Sequence, residues 1–140
     1  MCGFVGIINL NGEGISTDQL RDMTALQKHR GPDETSYCLC SFRDKELKKT
    51  DLRQEDKKVY EIGLGFNRLS IIDISKAGSQ PMMNQDNNIV ILYNGEIYNT
   101  HILKQRLLAM GIKFYGTSDT EVILYLYQEF GIEKTLEMIN

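Results

Sequence analysis

Cys2, with Gly3 after it, is the residue of this chain with most to offer chemically. Removal of Met1 would leave a thiol and a free α-amine on one residue. A thiolate is strongly nucleophilic, and an α-amine titrates near about pH 7.7–8.0, so the amine could take and return the thiol proton close to neutrality. The small side chain at position 2 suits loss of Met1. A second-position cysteine is also compatible with an incidental thiol, so the weight falls on three further segments that are polar where a plain core element would not be.

The first is Gly65–Phe66–Asn67–Arg68–Leu69–Ser70–Ile71–Ile72–Asp73, an apolar strand carrying Arg68. A guanidinium in such a strand needs an anion, and its fork suits a carboxylate held by two parallel hydrogen bonds. An internal acid such as Asp73 and a bound carboxylate both meet that need. The second is Tyr93–Asn94–Gly95–Glu96–Ile97–Tyr98–Asn99, following the apolar Ile89–Val90–Ile91–Leu92. Asn94-Gly95 is a hairpin-turn signal, and equally an amide and a glycine N–H able to converge on one oxyanion. In the third, Gly116–Thr117–Ser118–Asp119–Thr120–Glu121, Asp119 reads either as an acid at a helix N-terminus or as the binder of an ammonium group. A thiol for an acyl centre, an oxyanion pair, a carboxylate clamp and an ammonium acceptor together fit a free amino acid with an amide side chain. Glutamine and asparagine both satisfy that set.

These residues must be positioned by a single domain. The chain has 140 residues, 41% of them hydrophobic and 25% charged, as in globular proteins. A net charge of −3 without a long basic run argues against nucleic acid or an anionic membrane as partner. No apolar run approaches the roughly 20 residues that span a bilayer, and no leader pattern follows Met1, so a cytoplasmic location is the expectation. Of three cysteines, Cys38 and Cys40 share one face of an expected strand and read as buried structural thiols rather than metal ligands. With no Gly-rich phosphate loop and no cluster of metal-ligand spacing, no cofactor is expected for this chain.

Residues 3–8 read as a buried strand whose glycines admit a close neighbour. A capping box at Ser16-x-x-Gln19 opens a helix to about residue 28, and the Gly31-Pro32 step stops it. Residues 36–42 read as a strand, and the charged stretch 43–61 as an exposed hairpin or long loop. Strands are expected at 62–72 and 88–94, with a loop containing Ser79–Gln80–Pro81–Met82–Met83 between them. Asn99 or Thr100 can cap a helix through 110, ended by Gly111. A second helix is expected over 119–130 before Gly131, and a short third over 133–139. Strands and helices in blocks, rather than strict alternation, predict an α+β domain.

Six segments in order resemble class II glutamine amidotransferases, most closely the N-terminal glutaminase domain of glutamine-hydrolysing asparagine synthetases: Met1–Cys2–Gly3–Phe4–Val5–Gly6–Ile7, His29–Arg30–Gly31–Pro32–Asp33–Glu34, Arg68–Leu69–Ser70–Ile71–Ile72–Asp73, Gln80–Pro81–Met82, Tyr93–Asn94–Gly95–Glu96–Ile97–Tyr98–Asn99 and Ser118–Asp119–Thr120–Glu121–Val122–Ile123. The resemblance implies an N-terminal-nucleophile hydrolase fold, an αββα sandwich of antiparallel sheets. It implies Cys2 as nucleophile, Asn94 and Gly95 as the oxyanion hole, Arg68 and Asp119 as the clamps on the carboxylate and amine of L-glutamine, and Leu69, Ile71 and Glu96 as further walls of the pocket. The product would be ammonia for a synthetase domain or subunit, and ATP and magnesium would belong to that partner alone. Asn67 departs from the histidine common in the family, with a modest effect expected on packing or pocket polarity. The family pattern runs on past Asn140 with further strands, so the resemblance implies a partial domain without its synthetase domain, and with apolar surface and a sheet edge exposed to assembly. A silent remnant that binds glutamine or a partner, and the glutaminase domain of another class II amidotransferase, are the alternatives.

Overall fold

The computed structural model describes residues 1–53, 57–70 and 76–140. Its main element is an antiparallel sheet of β1 (Gly3–Ile8), β2 (Glu34–Ser41), β3 (Glu46–Thr50) and β4 (Ile62–Arg68), in the order β1-β4-β2-β3. A two-stranded antiparallel ribbon, β5 (Met82–Met83) with β6 (Val90–Ile91), lies apart from it in pairing. Helices α1 (Thr17–Leu26), α2 (Thr100–Ala109) and α3 (Asp119–Met138) complete the described architecture, which is α+β with antiparallel sheets.

Alternation along the strands decides which face of the sheet is filled. Val5, Tyr37 and Leu39 point to the side covered by α1 and form a buried cluster with Leu20, Leu52 and Tyr60. Ser16 begins α1 as the sequence predicts, accepting the Gln19 N–H at 3.2 Å. A second cluster, Ile97, Leu103, Leu107, Val122, Tyr125 and Leu126, joins α2 to α3. The first part of the polar sequence between 43 and 61 completes a hairpin: β3 folds back on β2 with Tyr37 opposite Thr50, and residues 54–56 lie outside the described ones.

Several expected elements change. The strand expected over 62–72 ends at Arg68, and its positions 71 and 72 lie outside the described residues. The strand expected over 88–94 is paired only at Val90 and Ile91, and these residues are half-buried, not core. Asn94-Gly95 makes no hairpin, because the chain runs on into α2 rather than back along β6. Asn99 stands at the start of α2 without capping it. Its side chain donates instead to the Met138 carbonyl at 2.7 Å and accepts the Asn140 N–H at 3.1 Å, docking the end of the chain. The two helices expected after position 118 are present: α3 is broken at Gly131, as expected, by a φ of 75° and ψ of 175° that are open essentially to glycine alone.

Candidate active site

Strand register brings the first site residues together. β1 runs antiparallel to β4 with Gly3 opposite Asn67, so Cys2 falls beside Arg68 and Leu69, just past the end of the pairing. The Leu69 main chain meets the sulfur twice: its N–H lies 3.3 Å from Cys2 Sγ, and its carbonyl accepts from the thiol at 3.7 Å. Arg30 Nε donates to the Cys2 carbonyl at 3.0 Å, fixing the terminal peptide from the other side. The space that glycine leaves at position 3 is filled by a side chain, since a Cβ there would lie 2.7 Å from Gln27 Oε1.

β2 approaches β4 from the opposite side, with Glu34 directly across from Arg68. Arg68 is only 7% exposed. Its Nη1 lies 3.4 Å from Glu34 Oε2 and 3.4 Å from Ser79 Oγ, and Ser79 Oγ donates to the same carboxylate oxygen at 2.8 Å. Among the described residues the acid beside Arg68 is therefore Glu34. Asp73, the internal partner considered from sequence, lies outside them.

Asn67, with no exposed surface, points away from Cys2 and Arg68. Its Nδ2 donates to the Thr24 carbonyl at 2.6 Å and its Oδ1 accepts from Thr35 Oγ1 at 2.8 Å, tying the end of α1 to the sheet. Its effect belongs to packing and not to pocket polarity. The close approach continues at Gly31, where a Cβ would stand 2.3 Å from the Asn67 carbonyl oxygen.

Asn94, Gly95 and Glu96 form a short exposed arch between the ribbon and α2. Two side chains hold its ends. Tyr93, before the arch, donates its N–H to Gln80 Oε1 at 2.6 Å, and Gln80 Nε2 returns a bond to the Tyr93 carbonyl at 3.0 Å. Ile97, after the arch, donates its N–H to Asp119 Oδ2 at 3.2 Å. Asp119 is 8% exposed and its other oxygen accepts the Thr120 N–H at 2.8 Å, while Ser118 takes the N-cap position of α3. Glu121 accepts the N–H groups of Tyr115 and Gly116 at 2.8 and 2.9 Å, which fixes the loop leading into α3. Burial, then the Asp119 and Glu96 carboxylates, push the Tyr93 phenol above its ordinary range.

One cavity of about 410 Å³ gathers these groups: Cys2, Arg68, Leu69, Asn94, Gly95, Glu96 and Asp119 all line it. Ile71 lies outside the described residues. Gln80, Tyr93, Ser118 and Thr120 also line it and have no role in the sequence reading. Glu34 and Gln80 sit within segments recognised from sequence, but their function depends on strand register and on a contact across 13 residues, neither visible along the chain. The cavity combines a free thiol, an arginine, a buried carboxylate and an Asn-Gly pair, a set of groups able to hold an amino acid and react with its side-chain carbonyl. Cys38 and Cys40 are elsewhere, both buried on β2 with their sulfurs 4.0 Å apart. Their mutual hydrogen bond, with burial second, pushes the Cys38 thiol upward.

The family described as the glutamine amidotransferase domain matches residues 1–140. Asparagine synthetase [glutamine-hydrolyzing] 1 of Bacillus subtilis (strain 168) is 38% identical over 133 residues, covering 93% of this chain and 18% of that protein. Amidase chyE of Penicillium rubens is 32% identical over 143 residues, 94% of this chain and 18% of that protein. Asparagine synthetase [glutamine-hydrolyzing] 1 of Arabidopsis thaliana is 31% identical over 137 residues, 95% of this chain and 19% of that protein. The chain thus spans less than a fifth of the length of these curated relatives.

Proposed function

Because the chain belongs to the glutamine amidotransferase domain family, we propose that it hydrolyses the side-chain amide of L-glutamine through Cys2 and supplies the ammonia to an ATP-dependent, asparagine-synthetase-like amidation site on another domain or subunit. Cys2 Sγ, freed at the N-terminus, attacks the amide carbon while its own amine takes the thiol proton. Asn94 and the Gly95 N–H hold the oxyanion. Collapse of the tetrahedral intermediate expels ammonia, which leaves with that proton, and a γ-glutamyl thioester remains. Water then attacks the thioester, releasing glutamate and the thiol. Arg68 takes the substrate carboxylate and Asp119 its ammonium group, with Leu69, Ile71 and Glu96 around them. The half-reaction uses no cofactor. ATP and magnesium belong to the partner site, and the full αββα sandwich and a cytoplasmic setting complete the reading.

The observation that carries this reading is the single cavity lined by Cys2, Arg68, Asn94, Gly95 and Asp119, residues drawn from four separate stretches of chain. Intact-mass measurement after exposure to 6-diazo-5-oxo-norleucine, with peptide mapping, tests it. A chain lacking Met1 and labelled once at Cys2 is the expected result. Folded protein that stays unlabelled would overturn the reading in favour of a silent glutamine- or partner-binding remnant.

A further inference from the structure

We propose that Gln80 is a positioning residue that braces the Asn94–Gly95 pair, by clamping the main chain of Tyr93 and tying it to the start of α3. The inference rests on the reading of Asn94 and Gly95 as oxyanion donors given above. An amide side chain that both accepts from and donates to one residue's main chain imitates the paired bonds of a β-ladder, and Gln80 does this to Tyr93 at 2.6 and 3.0 Å. Its Nε2 also lies 3.2 Å from Thr120 Oγ1, in the first turn of α3. The Gln80 carbonyl in turn accepts from the Ser36 hydroxyl of β2. Gln80 is therefore a four-way joint between the sheet whose edge places Cys2, the ribbon, the arch and the helix that carries Asp119.

The arch itself is exposed and lies outside both sheets, so its place is set from its ends. Asp119 holds the far end at Ile97. The near end lies one residue before Asn94, and its clamp is 7% exposed, where a lost partner cannot be replaced freely by water. An oxyanion pair accelerates the reaction only if its donors are already aimed when the charge develops. Loosening the near end should raise the barrier while leaving ground-state binding at Arg68 and Asp119 intact.

Gln80→Met keeps the length of the side chain and removes all three bonds. In the full chain its kcat for glutamine should fall about 10- to 100-fold, with KM and the inhibition constant of L-glutamate within about twofold of wild type. In an Asn94→Ala background the same substitution should cost at least fivefold less, because both changes act through one element. Equal losses in the two backgrounds, or a loss expressed in KM alone, would overturn the brace. Gln80→Glu supplies a conservative rescue: protonated, its carboxyl can accept from the Tyr93 N–H and donate its one proton to the Tyr93 carbonyl, restoring the clamp on Tyr93, so its kcat relative to wild type should rise as pH falls. A ratio flat with pH would also count against the clamp.

Thr120→Val, which removes a single bond, should show the same kcat-only pattern at about a few-fold and serves if Gln80→Met does not fold. Amide hydrogen exchange reads the clamp without reference to turnover. The Tyr93 N–H should exchange at least tenfold faster in Gln80→Met, and an unchanged rate would overturn the proposal. Normal clamping in a wild-type chain that does not hydrolyse glutamine would instead sink the glutaminase reading and leave the brace standing.

Discussion

At the scale of single residues, the site divides into atoms that would react and atoms that hold them. Cys2→Ala removes the sulfur proposed to attack, from a half-exposed position, so glutamine hydrolysis should fall to background while stability stays within about 1 kcal/mol. Full activity in that variant, measured by glutamate release, would exclude Cys2 as nucleophile. Arg68→Ala deletes a charged partner that is fixed by Glu34 and Ser79, and the loss of a charge-assisted contact worth about 1.5–3 kcal/mol should appear as a 10- to 100-fold rise in KM. An unchanged KM would make Arg68 a purely structural partner of Glu34. The candidates were legible in the sequence because their chemistry is unusual for where they stand: a thiol at the terminus, a guanidinium in a strand, an amide beside a glycine. Glu34 and Gln80 were not, because a carboxylate at a strand start and an amide before proline are ordinary until register sets one opposite Arg68 and a bend sets the other against Tyr93.

At the scale of elements, local signals predict well where one segment decides its own fate and poorly where a neighbour decides it. Ser16 caps α1 with its own hydroxyl, which accepts the Gln19 N–H three residues on, whereas Asn99 gives up that role because the returning chain end competes for its amide. Asn94-Gly95 carries a hairpin signal that fails for the same kind of reason: α2 packs on α3, and the chain is drawn forward into it. Asn67 joins α1, β2 and β4 through a buried hydrogen bond to the Thr24 carbonyl and a partly buried one with the Thr35 hydroxyl, so Asn67→Leu, close to it in size, removes both. Stability should drop by about 1–3 kcal/mol in chemical denaturation, and a loss below about 0.5 kcal/mol would show the joint to be dispensable. Gly131 tests the interruption in α3. Open space surrounds it, so Gly131→Ala meets only backbone strain, expected to cost about 1–3 kcal/mol with kcat unchanged. A more stable variant would mean that the helix prefers to run straight.

At the scale of the whole molecule, the two faces of the main sheet are treated differently. The face toward α1 is filled, while on the opposite face Phe66 and Cys38 are buried but Phe4 and Ile8, on the edge strand β1, are 47% and 59% exposed. Phe42 continues that apolar face beyond β2 and is also exposed. Among the described residues β1 pairs on one side only, with β4, so its outer backbone adds a sheet edge to the same region, an arrangement that invites pairing with another chain. A net charge of −3 spread over 140 residues gives little mutual repulsion to oppose it. The chain should therefore self-associate at high micromolar concentration, and Ile8→Lys, which places a charge on that face, should shift it toward monomer with little change in glutamine hydrolysis, because Ile8 is at the far end of β1 from Cys2. Sedimentation velocity separates the outcomes. A wild-type chain that stays monomeric, or an association that Ile8→Lys leaves untouched, would mean that this face is not what brings the molecules together.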